Sequence, residues 1–474
     1  MKWQVLCEES TSGADFTIEA DLQLSPLLKW CGILFMADSV THPAKGYLFT
    51  LTEDGFTELL SLADGGSGIR TLQRRKSGIL ETNHTYHITV KMQNNICRIY
   101  IEDTASENRL RKDTATEAVP SEFAPWPVAE LPLEDTGSRL AAVAAESGQA
   151  ELSPRDRGDL CRNFHTGTLN PLPLPSPLPA PRYQNPVLSG YADPDILYHQ
   201  GIYYLYATSS SLPAGYEAYT SRDLVCWEYA GKVMDEVWGM NRWYWAPDII
   251  CRNGKFYMLV SANEHLGICV SDSPLGPFLP EPGYLFDKSI DGHFFVDEDG
   301  EVYIFYVSWR EGKTYALYAM RMEHDLVTPI LSTETMVIKA TETWEQQKAA
   351  VAEAPYVLKH RGKYYLTYSG SHFESAGYAV GYAIADTPLG PYAKYEGNPI
   401  LSYHCKAHGP GHHCIVSSPD GRSLFIVYHT HHDTTTVQPR NICIDRLRFV
   451  PAKGKDDRLE VYGPTVTPQP YPLS

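Results

Sequence analysis

The sequence lacks three features that define large classes of protein: paired cysteines, clustered basic residues and long apolar runs. None of its ten cysteines form a C-x-x-C pair, which argues against a zinc ribbon or a thiol redox motif. With 40 Lys and Arg against 57 Asp and Glu, the net charge is −17, which argues against nucleic acid and anionic membranes as partners. No stretch reaches the length of a transmembrane helix, so no membrane span is expected.

The N-terminal stretch also lacks the apolar run and small-residue cleavage site of a secretory signal. Most cysteines lie in apolar, strand-like runs such as 249–251 and 442–444. There we expect buried, reduced thiols. Both features predict a cytoplasmic protein.

Proline, in contrast, is concentrated in one segment, where every second residue from Pro171 to Pro181 is proline. Such a run favours an extended, semi-rigid spacer. It predicts an N-terminal domain over 1–165, a linker over 166–182 and a larger domain over 183–474.

The N-terminal domain shows the alternation of half-buried strands. Apolar and polar residues alternate over 15–24 and over 87–101, and the Asn94-Asn95 pair indicates a hairpin turn. This rhythm predicts a β-sandwich, which resembles the laminin-G or concanavalin-like modules that accompany carbohydrate enzymes. The sequence leaves open whether this domain binds carbohydrate, walls the pocket or mediates homo-oligomers. Its candidate aromatic platforms are Trp3, Trp30 and Trp126.

The larger domain repeats one pattern five times, a turn glycine followed by an aromatic-rich strand. The repeats are GIYYLYAT from Gly201, GKFYMLVS from Gly254, GEVYIFYV from Gly300, GKYYLTYS from Gly362 and GRSLFIVYH from Gly421. Their intervals of 53, 46, 62 and 59 residues suit one four-stranded blade per repeat. The predicted fold is therefore all-β, a five-bladed β-propeller with an N-terminal β-sandwich.

Equivalent positions in successive blades form a ring around the central channel of a propeller. Counting back eight or nine residues from each turn glycine reaches the start of the preceding strand. If this is the same structural position in each blade, it carries Asp193, Trp245, Asp291, Glu353 and His412. Carboxylates are rarely buried without a reason, and crowding three of them raises some of their pKa values.

Two carboxyl groups that flank a scissile bond are what glycoside hydrolysis requires. One must be protonated to give a proton to the leaving oxygen, and the other must be ionised to activate water. A third carboxyl group can keep the acid protonated through like-charge repulsion. A tryptophan offers an apolar face to a sugar ring, and a histidine offers a polar group or a metal ligand.

The motifs around these five residues resemble the blade-start motifs of glycoside hydrolase family 43. They are ADPDI from Ala192, WAPD from Trp245, IDGHF from Ile290, EAPY from Glu353 and GPGHH from Gly409. The resemblance covers about 183–474. It implies a five-bladed propeller of inverting enzymes that remove arabinose, xylose or sometimes galactose units.

Carried over residue by residue, the resemblance implies that Asp193 is the general base and Glu353 the general acid. Asp291 would position the acid and tune its pKa. Trp245 would stack against the terminal sugar, and Arg440 would be the family's active-site arginine.

His412 would lie at the channel floor, where many relatives hold a calcium ion, often through water. The chemistry itself requires no cofactor. His413 leaves open which histidine contacts such an ion. Asp195 stands where many relatives have serine, and strand alternation places it on the same side as Asp193, which leaves an exchange of roles open.

The predicted function is the exo-acting release of a terminal pentose from plant-derived oligosaccharides with inversion. An α-L-arabinofuranosidase is the first choice and a β-xylosidase the second. Inversion predicts about 6.5–9.5 Å between the two catalytic carboxyl groups. The alternatives are a non-catalytic carbohydrate-binding propeller, which would need no protonated acid, and a retaining five-bladed enzyme such as a fructosidase.

Overall fold

The computed structural model describes part of the first 181 residues and nearly all of the rest. The described residues are 4–10, 16–25, 28–39, 45–63, 68–76, 80, 84–93, 96–103, 129–132, 140–147, 161–168, 182–418, 420–452 and 454–472. The chain divides into two compact units, Met1–Pro179 and Ala180–Ser474. The proline run at 171–181 lies outside the described residues. In the described part the helices are the 3₁₀ turns Leu331–Thr333 and Thr343–Glu345, and none there is long and apolar enough to span a membrane.

The first unit contains two antiparallel sheets, in agreement with the predicted β-sandwich. Its strands are β1 (Gln4–Ser10), β2 (Phe16–Gln23), β3 (Leu28–Ala37), β4 (Lys45–Thr52), β5 (Phe56–Ala63), β6 (Gly68–Lys76), β7 (Thr85–Gln93), β8 (Ile96–Asp103), β9 (Ala129–Pro132), β10 (Leu140–Ser147) and β11 (Cys161–Thr168). One sheet has the order β1-β10-β3-β4-β5-β6 and the other β11-β2-β7-β8-β9. Strand β11 extends to Thr168, beyond the predicted domain end at 165.

The alternation in the sequence accounts for the strands of this unit. In β2 the side chains of Phe16 and Ile18 are fully buried, because every second residue faces the core. Strands β7 and β8 pair with Gln93 opposite Ile96, so the predicted hairpin is confirmed, although residues 94–95 lie outside the described part. Trp30 is only 5% exposed. It is therefore a core residue and not the predicted aromatic platform, while residues 3 and 126 lie outside the described part.

The second unit contains five blade sheets that follow one another along the chain and one two-stranded sheet. Blade one comprises β14 (Tyr191–His199), β15 (Ile202–Ser209), β16 (Tyr216–Ser221) and β17 (Glu228–Met234). Blade two comprises β18 (Tyr244–Arg252), β19 (Lys255–Ala262), β20 (His265–Ser271) and β21 (Leu279–Pro280). Blade three comprises β22 (Ser289–Val296), β23 (Val302–Ser308), β24 (Ala316–Met322) and β25 (Thr335–Ile338). Blade four comprises β26 (Ala352–His360), β27 (Lys363–Gly370), β28 (Ala379–Ala385) and β29 (Ala393–Lys394).

Blade five joins the two ends of this unit. It comprises β30 (Gly411–Ser417), β31 (Leu424–Thr430), β32 (Asn441–Val450) and β33 (Arg458–Tyr462), together with β13 (Leu188–Ser189) from the start of the unit. Strand β13 pairs with β32, and β12 (Arg182–Tyr183) pairs with β34 (Gln469–Pro470). The ring is therefore closed by backbone pairing, and the predicted five-bladed propeller is confirmed.

Five apolar clusters fill the five spaces between neighbouring blades. The second strand of each blade is buried on both faces, which explains its nearly continuous apolar run. In β15, Tyr204 and Tyr206 pack toward blade two, whereas Tyr203 and Leu205 pack toward blade five. Burying one such side chain contributes about 1.5–3 kcal/mol, so the aromatic repeats are the inter-blade cores.

Eight of the ten cysteines have described side chains; these eight are free thiols, and most are buried as predicted. The buried ones are Cys31, Cys97, Cys269, Cys405, Cys414 and Cys443. Burial raises the pKa of the Cys31 thiol to about 12, so that thiol is unreactive at neutral pH. Cys226 is exposed, which the apolar-run argument did not predict.

Candidate active site

Every blade begins with a β-bulge in its first strand, where two residues, or one in blade five, interrupt the pairing to the second strand. At each bulge one residue has a positive φ: Asp193 (50°), Ala246 (42°), Asp291 (55°), Ala354 (53°) and His412 (46°). A non-glycine residue rarely adopts this conformation, and it costs roughly 1–3 kcal/mol. Strain that recurs five times around one axis marks this ring as the functional part of the fold.

The bulges correct the prediction that one repeated position carries all five site residues. Asp193, Asp291 and His412 are the left-handed residues of their bulges, but Trp245 and Glu353 each lie one residue earlier. Counting back from the turn glycines gave the wrong register because the hairpins differ in length. Blades three and five have longer hairpins than the two-residue hairpins of blades one, two and four. Two adjacent positions therefore supply the site.

Side chains from the preceding blade hold several of these bulges in place. The backbone N–H groups of three left-handed residues each donate to a hydroxyl at the end of the neighbouring second strand. The pairs are Ala246 to Thr208 Oγ1 (2.9 Å), Asp291 to Ser261 Oγ (3.0 Å) and His412 to Ser369 Oγ (2.8 Å). In blade five the equivalent residue is His429, whose Nδ1 lies 3.4 Å from the backbone nitrogen of Asp193. Each bulge is thus fixed by the blade before it.

Asp193 is a buried carboxylate surrounded by basic groups. Arg440 donates from both terminal nitrogens to its two oxygens, at 2.8 and 3.2 Å, a bidentate geometry of the strong kind. His429 Nδ1 lies 3.0 Å and His412 Nδ1 3.4 Å from Asp193 Oδ1. Burial alone would raise the pKa of Asp193, but Arg440, His412 and His429 together hold it well below the ordinary value. Asp193 is therefore ionised at neutral pH.

Glu353 has the opposite electrostatic environment. Its Oε1 accepts a hydrogen bond from the Tyr378 hydroxyl at 2.7 Å, and its Oε2 accepts one from Tyr315 at 2.9 Å. Desolvation and, to a lesser degree, the charge of Asp193 raise the pKa of Glu353 to about 7, against the lowering effect of the two tyrosines and Arg440. Glu353 is therefore substantially protonated at neutral pH.

Asp291 lies among these groups, and one ligand atom each of Asp291, Glu353 and His412 falls within 4.8 Å of the others. Its Oδ2 accepts a hydrogen bond from the backbone N–H of Ala354 at 3.3 Å. Burial, followed by the charges of Glu353 and Asp193, raises the pKa of Asp291 well above its usual range. Because three carboxyl groups share one small site, the negative charge settles on Asp193.

The structure thus brings five of the six predicted site residues into one contact network. These are Asp193, Asp291, Glu353, His412 and Arg440. Trp245, in blade two, occupies the bulge position equivalent to that of Glu353 in blade four. It is half-buried, and its described ring contact is a stack on Trp243, with centroids 5.7 Å apart.

Sequence reasoning missed three residues that act directly on the catalytic carboxyl groups: His429, Tyr315 and Tyr378. His429 left a signal, because the fifth repeat ends in histidine where three of the other four repeats end in Ser or Thr. The tyrosines left none, since both precede the third strands of their blades and tyrosine is common throughout the chain. The Tyr378 ring also stacks on His429, with centroids 5.6 Å apart. These two residues thus connect the surroundings of Asp193 with those of Glu353.

A second ring lies one step further along the first strands, just after the bulges. Its members are Asp195, Asp248, His293, Tyr356 and His413. Asp195 Oδ2 accepts the backbone N–H of Ile249 at 2.8 Å, and burial followed by Asp248 raises its pKa well above the ordinary value. The bulge breaks strand alternation, and Arg440 and His429 contact Asp193 whereas Asp195 contacts the backbone of blade two, which favours Asp193 over Asp195 as the base. Four of the ring's members, Asp195, Asp248, Tyr356 and His413, line a cavity of about 20 Å³, enough for one water.

The comparisons with known proteins agree with this architecture. Residues 183–452 match the family model described as Glycosyl hydrolases family 43. The chain is 28% identical to a β-D-galactofuranosidase of Aspergillus niger, over 56% of this chain and 82% of that protein. It is 29% identical to a xylosidase/arabinosidase of Humicola insolens, over 47% of this chain and 74% of that protein. The crystal structure of a thermostable family-43 glycoside hydrolase is 41% identical, with a TM-score of 0.56, and covers 62% of this chain and 99% of its own. The chain therefore belongs to glycoside hydrolase family 43, as its blade-start motifs predicted.

Proposed function

We propose that the protein is an exo-acting, inverting glycoside hydrolase that releases terminal α-L-arabinofuranose from plant-derived oligosaccharides. The observation that carries the proposal is the contrast between Asp193 and Glu353. One pocket holds the first carboxyl group ionised and the second protonated near neutral pH, which is the pairing that acid–base hydrolysis of a glycoside needs.

In this mechanism Asp193 removes a proton from water on one face of the sugar ring. The oxygens that bind Arg440 retain lone pairs for that water, since a carboxylate offers about four acceptor sites. Glu353 gives its proton to the leaving oxygen on the other face. Its two tyrosine partners fix the orientation of the carboxyl group. The water attacks opposite the leaving group, so the anomeric configuration inverts.

The neighbouring groups support these two steps. Asp291 lies beside Glu353, and the charge of ionised Asp193 favours the protonated form of the acid. Burial lowers the pKa of His412, against the pull of Asp193, so its imidazole is neutral and contacts a sugar hydroxyl as donor or acceptor. Trp245 supplies the apolar face for the terminal sugar.

The identity of the released sugar is proposed from the names of two relatives. The names of the similar enzymes mention galactofuranose, xylose and arabinose, which keeps β-xylosidase as the second candidate. We place arabinofuranose first because it combines the furanose ring of one named substrate with the pentose of the other.

The test is turnover of nitrophenyl α-L-arabinofuranoside and β-xyloside by the wild type and by Glu353→Gln. An exposed carboxylate on the propeller surface, Asp272, gives the matched control Asp272→Asn. We expect release by the wild type and the control, and a strong loss in Glu353→Gln. Sugar binding without release by the wild type would favour a carbohydrate-binding propeller. Proton NMR of the first product separates inversion from retention and so tests the inverting claim.

The donors at this site do not fit a calcium ion. Among the described residues, one trio of potential ligands lies close together, namely Asp291, Glu353 and His412. Calcium takes about six to eight oxygen ligands, whereas this trio offers two oxygens and a nitrogen. Both Glu353 oxygens already accept tyrosine hydrogen bonds. We propose that the reaction needs no metal. Activity that EDTA abolishes and calcium restores would contradict this.

The sequence also predicts a homo-oligomer that forms through the N-terminal unit and a cytoplasmic location. Light scattering of the purified chain gives its mass in solution and tests the first. Fractionation of the cells that produce the protein tests the second.

A further inference from the structure

An exposed aromatic surface continues outward from Trp245. Trp243 is 42% exposed and immediately precedes β18, the first strand of blade two. Its ring is nearly parallel to that of Trp245, at an angle of 20° and with centroids 5.7 Å apart. Because the two tryptophans are separated by one residue, the side chain of Trp243 extends the sugar-binding face toward the pocket mouth.

Neighbouring groups fix this surface. The Arg242 guanidinium lies 4.0 Å from the Trp243 ring centroid, and its Nε donates to Asn263 Oδ1 at 3.2 Å. The backbone N–H of Asn263 donates in turn to the Trp243 carbonyl at 3.1 Å. Asn263 lies in the two-residue hairpin between β19 and β20, where Ala262 pairs with His265. Trp243 therefore has a defined orientation although much of it faces solvent.

The backbone of Trp243 indicates that this orientation has a function. Its φ is 57°, and for a bulky residue a positive φ is a genuine outlier. A tryptophan that served only as surface could adopt an ordinary conformation at no cost. Strain of this kind persists where the surroundings enforce it, most often at ligand sites.

The hairpin also places this surface on the side of the general acid. Glu264 follows Asn263 in the turn. The backbone carbonyl of Glu264 accepts a hydrogen bond from the backbone N–H of Ser289 at 3.1 Å, at the start of blade three. The same blade supplies Tyr315, whose hydroxyl donates to Glu353, so the hairpin lies against the blade that holds the acid. The sugar that departs leaves from the acid side of the scissile bond.

We propose that Trp243, with Arg242 and Glu264 beside it, is the binding platform for the sugar residue that leaves. The indole offers apolar surface to the C–H face of that sugar, while the guanidinium and the carboxylate bind its hydroxyls. The substrate is then an oligosaccharide recognised on both sides of the cleaved bond. This inference rests on the proposed function, because it assigns a leaving group to that reaction.

The experiment compares two substrates that share a terminal sugar. Arabinofuranosyl fluoride has no leaving sugar, whereas arabinobiose has one; xylosyl fluoride and xylobiose replace them if the wild type prefers xylose. Trp243→Ala is expected to lower kcat/KM for the disaccharide by roughly tenfold or more, since binding energy from the remote sugar is lost. For the fluoride we expect a change of less than about twofold.

Two further variants make the result specific. Trp243→Phe keeps an aromatic ring and is expected to retain intermediate activity on the disaccharide. Tyr229 is 57% exposed on the outer strand of blade one, and Tyr229→Ala is the matched control, with no change on either substrate. Equal losses on both substrates, or no loss on the disaccharide, would overturn the platform while leaving the proposed function intact. A wild type that cleaves none of the four substrates overturns the proposed function and the leaving-group role with it.

Discussion

The hydrogen bond from Tyr378 to Glu353 makes the protonation of the acid directly testable. The hydroxyl donates to Oε1 at 2.7 Å and stabilises the ionised carboxylate more than the neutral acid. Tyr378→Phe removes this donor while it keeps the ring that stacks on His429. The pKa of Glu353 should therefore rise.

The magnitude follows from the strength of such a bond. A hydrogen bond to a charged group contributes about 1.5–3 kcal/mol, and one pKa unit corresponds to about 1.4 kcal/mol. Tyr315 still donates to Oε2 in the variant, and the neutral acid also loses part of the interaction. We therefore expect an increase of about one unit from the value of about 7 in the wild type.

The assay is kcat/KM against pH from about pH 5 to about pH 9, because this profile reports the ionisations of the free enzyme. Glu353 works as the protonated acid, so activity falls as pH rises through its pKa. We expect the alkaline limb to move from about 7 to about 8 in Tyr378→Phe.

The control is Tyr365→Phe in the same blade. Tyr365 is equally buried, but its hydroxyl donates to the Asp457 carbonyl, away from the catalytic ring. Its alkaline limb should match the wild type even if the variant is less stable. An alkaline limb that stays in place or moves down in Tyr378→Phe would refute the assignment of Glu353 as the acid held by this tyrosine.

Three further predictions concern the acid, the base and the folded state. Glu353→Gln should lower kcat on a disaccharide by about 10²–10⁴-fold but affect the glycosyl fluoride far less, because fluoride leaves without a proton; equal losses would contradict acid catalysis. Arg440→Met leaves Asp193 buried without its cation, so the acid limb of kcat/KM should move to higher pH. Urea titration of this variant should show that the free energy of unfolding falls by about 3–5 kcal/mol. If both the acid limb and the free energy of unfolding stay unchanged, the ion pair between Arg440 and Asp193 is contradicted. Burial raises the pKa of Asp445 to about 7, so its carboxyl group takes up a proton on folding and its contribution to stability is lost as pH rises from about 4 to about 7. The melting temperature of the wild type minus that of Asp445→Asn should therefore fall over this range, and a constant difference would rule the effect out.

The sequence predicted the ring of blades because the repeats carry their own physical signals. Each repeat glycine has a positive φ, between 70° and 86°, so its place in a hairpin turn was readable from one residue type. The strands that follow are buried on both faces, which made their apolar runs visible. The closure of the propeller ring was not predictable in the same way. Strands β12 and β13, which close it, are two residues long, and their pairing partners lie more than 250 residues away in the chain.

The catalytic carboxyl groups were predictable and their environment was not. Asp193, Asp291 and Glu353 stand in recurring motifs, whereas the residues that set their pKa values come from other strands and blades. Tyr378 and Tyr315 reach Glu353 from two different blades. Bulges and hairpin lengths also change the number of residues between a turn glycine and the site. Sequence spacing therefore aligned Trp245 and Glu353 with Asp193, Asp291 and His412, although both lie one residue earlier in their bulges.

The bulges at the blade starts double the number of side chains that five strands can present to one axis. A regular strand turns consecutive residues to opposite faces, but here Glu353 from the first bulge position meets Asp291 and His412 from the second. Five blades therefore offer ten places. Five hold the chemistry, and the other five hold Ala192, Ala246, Ile290, Ala354 and Gly411. At Gly411 a β-carbon would lie 2.3 Å from the Tyr378 ring, so this place must stay empty. The alanines at 246 and 354 are places where a redesigned enzyme can acquire contacts to a different sugar while its acid and base stay in position.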